Sequence, residues 1–246
     1  MQIDTHCSWN GKRAVCKKHP FAKIEAKMLS LLKLYINTPQ VYLLTQDRII
    51  MEYISDDCTL NEEKAAHSIA HLHTQTAPKY GLEFDTTIGP FLQPNRQTAS
   101  WVEFYATQRV LYMAQKALDE GSLSPNHYTK LEKLCQKLHL LIPDTPKASL
   151  LHGDIWSGNV VCHNKELYLI DPALYYGHNE VELAFIMMFD TFGRKFFDAY
   201  NDISPIEKEF FEYRYAIYQI YPYLVHIRIY GGSYLSSLER ILARFV

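Results

Sequence analysis

The first fifty-odd residues alternate short apolar runs with polar turns, a pattern that predicts strands around one helix. Ser8-Trp9-Asn10-Gly11-Lys12 contains Asn-Gly, the strongest two-residue hairpin signal, between segments able to pair. A strand is expected over residues 13–17. Pro20 then opens a segment whose Ile24, Met28, Leu31, Leu32 and Tyr35 recur on one helical face. Residues 41–45 and 48–54 are rich in β-formers and flank a polar turn, which reads as a second hairpin. From about Asn61 the period becomes helical: Asn61 is suited to cap a helix, and Ala65, Ile69 and Leu72 share a face. Residues 98–120, 124–141 and nearly everything after Asn179 carry the same period. One compact exception, residues 150–171, places two short apolar runs around a loop bearing Gly and Asn. The expected fold class is α+β, with a small β-rich lobe over residues 1–54 and a larger, mostly helical lobe over 55–246.

Composition narrows the class. A chain of 246 residues can bury a sizeable core. Its 48% hydrophobic and 21% charged residues are ordinary for a soluble globular protein. A net charge of -2 leaves no electrostatic footprint for nucleic acid or an anionic membrane surface. No apolar run reaches bilayer length, and the first residues lack the basic-then-apolar order of a signal peptide. Five cysteines (Cys7, Cys16, Cys58, Cys135, Cys162) are odd in number, widely spaced and without a C-x-x-C pair. They read as free thiols of a reducing cytoplasm, not as a disulfide framework or a zinc site.

The chemistry concentrates in His152-Gly153-Asp154-Ile155-Trp156-Ser157-Gly158-Asn159. His-x-Asp, four residues and Asn is the spacing of a kinase catalytic loop. Downstream, Ile170-Asp171-Pro172 sets a second Asp at the end of an apolar strand. Phosphoryl transfer wants these residue types: one carboxylate accepts the proton of the attacking hydroxyl, while an amide and a second carboxylate hold Mg²⁺ on nucleotide phosphates. Asp154 suits the first role, and Asn159 with Asp171 suits the second. Asp, Asn and Gly also fill ordinary turns, and a histidine such as His152 can be a buried prop. The coincidence of His152, both Asp residues, Asn159 and two bracketing strands favours the chemical reading.

These motifs resemble the fructosamine kinase (ketosamine-3-kinase) family, relatives of aminoglycoside and choline phosphotransferases. The loop from His152 to Asn159 is similar to that family's catalytic loop almost letter for letter. Residues 170–184, beginning Ile170-Asp171-Pro172-Ala173-Leu174-Tyr175-Tyr176-Gly177-His178, resemble its metal-binding segment and the helix after it. Weaker echoes are Ile69-Ala70-His71-Leu72-His73, Ile88-Gly89, Pro94-Asn95, residues 101–109 and Tyr218-Gln219-Ile220-Tyr221.

The resemblance implies a protein-kinase-like two-lobed fold that uses ATP and Mg²⁺. It implies phosphorylation of a ketosamine at the sugar's C3 hydroxyl, after which the adduct falls apart and frees the amine. The acceptor would be a small molecule or protein-bound, with no nucleic-acid or membrane partner. It also implies nucleotide-binding roles for Lys17, with Lys18 as rival, for Glu25 as partner of the Lys, and for Glu52, Tyr53 and Ile54 as the adenine hinge. Val15 would pack on adenine. Trp156, Tyr175, Tyr176 and His178 would line a sugar surface, and Glu182 matches an acidic position of the following helix. The family opens with a strand and a Gly-rich loop, whereas only ten residues precede Gly11 here and none is glycine. The small lobe is therefore expected to be truncated. Two other functions remain open at this point: a kinase for another small alcohol, such as an aminoglycoside or choline, and a degenerate non-catalytic protein of the same fold.

Overall fold

The computed structural model describes residues 2–246. Strands β1 (Gln2–Trp9) and β2 (Lys12–Lys18) form the expected hairpin, turning at Asn10 and Gly11, both at positive φ. Helix α1 (Ala22–Leu32) follows, then β3 (Val41–Leu44) and β4 (Arg48–Glu52). The four strands make one antiparallel sheet in the order β1-β2-β4-β3. Side chains alternate across a strand. Lys17 is accordingly buried, while Lys18 is exposed and lies 3.7 Å from Asp47. A small core of Ala22, Ala26, Leu29, Ile49 and Met51 joins α1 to the sheet.

The larger lobe begins with α2 (Glu62–His73), whose first turn is closed by Asn61 Oδ1 accepting from the Lys64 N–H. Short strands β5 (Thr76–Ala77), β6 (Thr86–Ile88) and β7 (Phe91–Gln93) follow. A long helical run comprises α3 (Trp101–Phe104), a π-helical segment (Tyr105–Val110) and α4 (Leu111–Asp119), and it is succeeded by α5 (Pro125–Leu141). The exceptional stretch supplies β8 (Ala148–Leu151), β9 (Val160–His163) and β10 (Glu166–Leu169). The chain closes with β11 (Tyr175–Gly177), α6 (Glu180–Met188), α7 (Arg194–Ile203), α8 (Tyr215–Tyr218), α9 (Ile220–Tyr230) and α10 (Leu235–Phe245). The other face of α1, through Met28, Leu32 and then Ile36, packs into the large helical core. The small lobe is thus buttressed by the large one.

The cysteine expectation is overturned. Cys7 pairs with Cys16 across the β1–β2 hairpin, and Cys58 pairs with Cys162, leaving Cys135 free. Spacing along the chain hid both pairs, because register and tertiary approach, not sequence proximity, set Cα–Cα at 6.2 and 5.3 Å. Cytoplasmic residence loses the support drawn from free thiols. Among the described residues, no helix is long and apolar enough to cross a membrane.

Candidate active site

Strand β8 ends in fully buried Leu150 and Leu151, which seat the loop that follows. His152 is buried, and burial lowers its pKa against the raising pull of Glu182 and Ile170, so the ring is neutral. Its Nε2–H donates to the Ile170 carbonyl (3.0 Å), and its Nδ1 accepts the Asp154 N–H (3.3 Å). The Ala173 N–H donates to the His152 carbonyl at 2.8 Å. Gly153 has φ +85, and a Cβ there would lie 2.3 Å from the Ala173 carbonyl oxygen, so only glycine fits. These bonds set the Asp154 and Asp171 segments side by side.

Asn159 spends its amide N–H groups on Asp154, donating to the backbone carbonyl (2.9 Å) and to Oδ2 (2.8 Å). Its Oδ1 is left as an uncommitted acceptor. Burial pushes the Asp154 carboxyl up to about 7; the Asn159 bond opposes the rise, and the charges of Asp171 and Glu182 add to it. Asp171 sits at φ +53, a left-handed conformation sparsely used by residues other than glycine and concentrated at functional sites.

Lys17 meets this centre from the small lobe. Its ammonium bonds Glu25 Oε1 at 2.7 Å and Asp171 Oδ1. Burial works to lower its pKa, but the carboxylates of Asp171 and Glu25 outweigh it and raise the group above 10.5. Glu25 also has His19 Nε2 2.7 Å from its Oε2. Burial favours the neutral Glu25 carboxyl, yet the adjacent His19 ring and the Lys17 ammonium hold it below its ordinary value.

All these groups line one cavity of about 330 Å³. Lys17, His19, Glu25, Asp154, Asn159 and Asp171 make its polar side. Trp156, Phe185, Val225, His226, Ile229, Tyr230 and the β6–β7 turn at residues 87–90 surround the rest. A Cβ on Gly158 would fall 2.4 Å from the Trp156 ring, so the indole rests directly on that glycine.

Five residues named for chemistry, Lys17, Glu25, Asp154, Asn159 and Asp171, thus converge with Trp156. Other expectations need correction. Tyr175 is buried in the aromatic core beneath the Arg109 guanidinium, 4.0 Å from its ring centre. Tyr176 is half-buried and paired through its backbone with Gly81. His178 is buried against Tyr218, 2.9 Å from its hydroxyl, and burial lowers its pKa to about 3. None of the three lines the cavity: Tyr175 points from β11 into the aromatic core, Tyr176 faces the other side of that strand, and His178 beyond it packs on Tyr218. Glu52, Tyr53 and Ile54 leave β4 half-buried and outside the cavity. Glu52 Oε2 accepts from the Gln40 N–H (3.1 Å), and Tyr53 lies under the Arg13 guanidinium (3.6 Å). Sequence reasoning missed His19, Thr87, Pro90, Phe185, Val225, His226, Ile229 and Tyr230 as lining groups. None belongs to a chemical motif, and α9 and the β6–β7 hairpin reach the cavity only through tertiary packing.

The donor chemistry suits a hard divalent cation: Asp154, Asn159 and Asp171 all line this cavity, and carboxylate and amide oxygens are the donors such a cation takes.

Comparison with known proteins places this arrangement. A family profile described as fructosamine kinase matches residues 13–246. A probable ketoamine kinase of Klebsiella aerogenes is 32% identical over 234 residues, covering 91% of this chain and 80% of that protein. The crystal structure of a putative fructosamine-3-kinase from Thermobifida fusca superposes with a TM-score of 0.85 at 28% identity, covering 99% and 93% of the two chains. A choline kinase from Streptococcus pneumoniae superposes at 0.64 with 17% identity, covering 100% and 94%, and shares the kinase-like fold. The chain belongs to the fructosamine kinase family.

Proposed function

We propose that this protein is an ATP-dependent, Mg²⁺-requiring kinase that phosphorylates a sugar hydroxyl of a ketosamine, free or protein-bound, as a step of deglycation. The observation that carries the reading is the convergence of Lys17, Asp154, Asn159 and Asp171 on one cavity. Asn159 Oδ1 and the Asp171 carboxylate are the groups to hold Mg²⁺. A bound Mg²⁺ supplies charge neutralisation on the nucleotide phosphates.

The chain's own residues do the rest. Lys17 stays protonated across the physiological range and adds a fixed cation for the phosphates, while Glu25 keeps the ammonium from swinging away. Asp154 accepts the proton of the attacking hydroxyl, and a carboxyl near 7 is poised for that transfer. Trp156 offers an indole face to the sugar ring, since it is exposed at the cavity and braced by Gly158. Placement of the acceptor at the C3 hydroxyl follows the named activities of relatives.

The test is ATP turnover on a panel of fructosamines, ribulosamines, choline and an aminoglycoside. Phosphorylation confined to the ketosamines, abolished in Lys17→Met and kept in Lys18→Met, is the expected result. Phosphorylation of choline or the aminoglycoside in preference, or none with any acceptor, would sink the reading.

A further inference from the structure

The cavity is lined in part by three stretches far apart in sequence: the β6–β7 turn, Asp171-Pro172, and α9. One buried amide joins them. Gln93, on β7, is fully buried. Its Nε2 donates to the Ala173 carbonyl and to Thr86 Oγ1, both at 2.9 Å, and its Oε1 accepts the Tyr221 hydroxyl at 2.8 Å. A carbonyl oxygen can only accept, so the amide nitrogen must face Ala173 and the amide oxygen is left for Tyr221. Burial raises the pKa of Tyr221, so its hydroxyl keeps the proton and is the donor. Both amide hydrogens and the amide oxygen are thus committed, each to a different stretch of the chain.

We propose that Gln93 is a positioning residue that fixes the acceptor-binding wall, made by the β6–β7 turn and α9, relative to Asp171. This role rests on the phosphotransfer reading of Asp154 and Asp171. A buried glutamine could satisfy itself against any local groups, yet each partner here stands close to a cavity residue. Thr86, the register partner of Gln93, precedes Thr87. Ala173 follows Asp171-Pro172 directly. Tyr221 lies one helical turn before Val225 of the apolar wall. The Ala173 junction also bears on the base: its N–H donates to the His152 carbonyl, and its carbonyl oxygen leaves Gly153 no room for a Cβ. From the other side, Asn95 Nδ2 donates to the same Thr86 hydroxyl at 2.8 Å, while its Oδ1 accepts from the fully buried Arg109 at 2.7 Å. The amide therefore has a fixed base. Any shift of the turn or of α9 against Asp171 must break a buried hydrogen bond and leave its partner unpaired, which is costly. Misplacing a reacting group by about an ångström can cost on the order of 10²-fold in rate.

Tyr221→Phe removes only the tie to α9. It should raise KM for the ketosamine by about tenfold while kcat and KM for ATP stay within about twofold. Gln93→Leu removes all three ties and should lower kcat/KM for the ketosamine by about 10²-fold, with weaker Mg²⁺-dependent ATP binding as well. Because the tie to α9 runs through Gln93, the double variant should be no worse than Gln93→Leu alone. Hydrogen exchange supplies a readout that needs no acceptor. Peptides spanning residues 84–94 and 170–176 should lose protection in Gln93→Leu, while those of α5 and α10 exchange as in wild type. Additive losses in the double variant would overturn the proposal, and so would a rise in KM for ATP matching that for the ketosamine in Tyr221→Phe. Should Gln93→Leu fail to fold, the KM split in Tyr221→Phe decides by itself. If wild type turns over no ketosamine while the exchange result holds, the positioning role stands and the substrate reading fails.

Discussion

At the scale of single residues, the proposed base is one carboxylate whose proton affinity the fold has altered. Asp154→Asn should preserve nucleotide binding and lose roughly 10²–10⁴-fold in turnover, since general-base catalysis is typically worth that much. The same variant reports on stability. Asp154 has its folded pKa raised from 3.8 to about 7, chiefly by burial, so the folded protein holds this proton more tightly than the unfolded chain. Its contribution is favourable below pH 4 and is lost as pH rises through 7. Asp154→Asn should therefore melt higher than wild type at pH 8 and show little difference at pH 4, read by thermal denaturation at both. Equal melting temperatures at pH 8 would show that the carboxyl is not destabilised by its site.

At the scale of elements, the loop between β8 and β9 is shaped by glycines whose neighbours tolerate no side chain. Gly158 lies against the Trp156 ring, with a built Cβ within 2.4 Å of it. Gly158→Ala must push the indole aside, whereas the polar cluster across the cavity is untouched. The expected outcome is a changed tryptophan emission and a several-fold higher KM for the ketosamine, with KM for ATP unaltered. If the indole plays no part in holding the acceptor, emission will change and KM for the ketosamine will not.

At the scale of the whole molecule, the segment that follows the small lobe is fixed to the large lobe's β9–β10 hairpin by more than apolar packing. The Cys58–Cys162 bridge ties the segment after β4 to β9 across a sequence separation of 104. Around it, the Asp57 N–H donates to the Cys162 carbonyl (3.0 Å), and Asp57 Oδ2 lies 2.7 Å from His163 Nδ1. Chain-entropy reasoning gives about 4 to 5 kcal/mol for closing a loop on the order of 100 residues. The Cys7–Cys16 bridge closes a separation of only 9 and contributes less. Denaturant midpoints should fall on adding dithiothreitol, and Cys58→Ser should reproduce most of that fall while Cys7→Ser reproduces little. A midpoint indifferent to reductant would remove the bridge from the stability of the fold.

By itself, the chain spelled out the parts whose physics is local. Asn10-Gly11 predicts its hairpin because the turn demands left-handed backbone at both positions, and Asn61 predicts a cap because its side chain reaches only its own helix. The spacing of Asp154, Asn159 and Asp171 was legible because one short loop and one hairpin carry all three. Lys17 was separable from Lys18 once the strand period and the helix Glu were considered together. Other features depended on where distant elements cross. Cys58 meets Cys162, and His73 meets Glu182, over separations that no periodicity encodes. The same crossing of elements put Tyr175 and His178 into the core, although they follow Asp171 closely in sequence. Tyr175 points inward from β11, while His178, just past that strand, is buried against Tyr218 of α8. The apolar wall at Val225, His226, Ile229 and Tyr230 reads in sequence as one more helix. Only packing of α9 beside the catalytic loop turns that face toward the cavity, because exposure of a helical face is decided by its neighbours and not by its own residues.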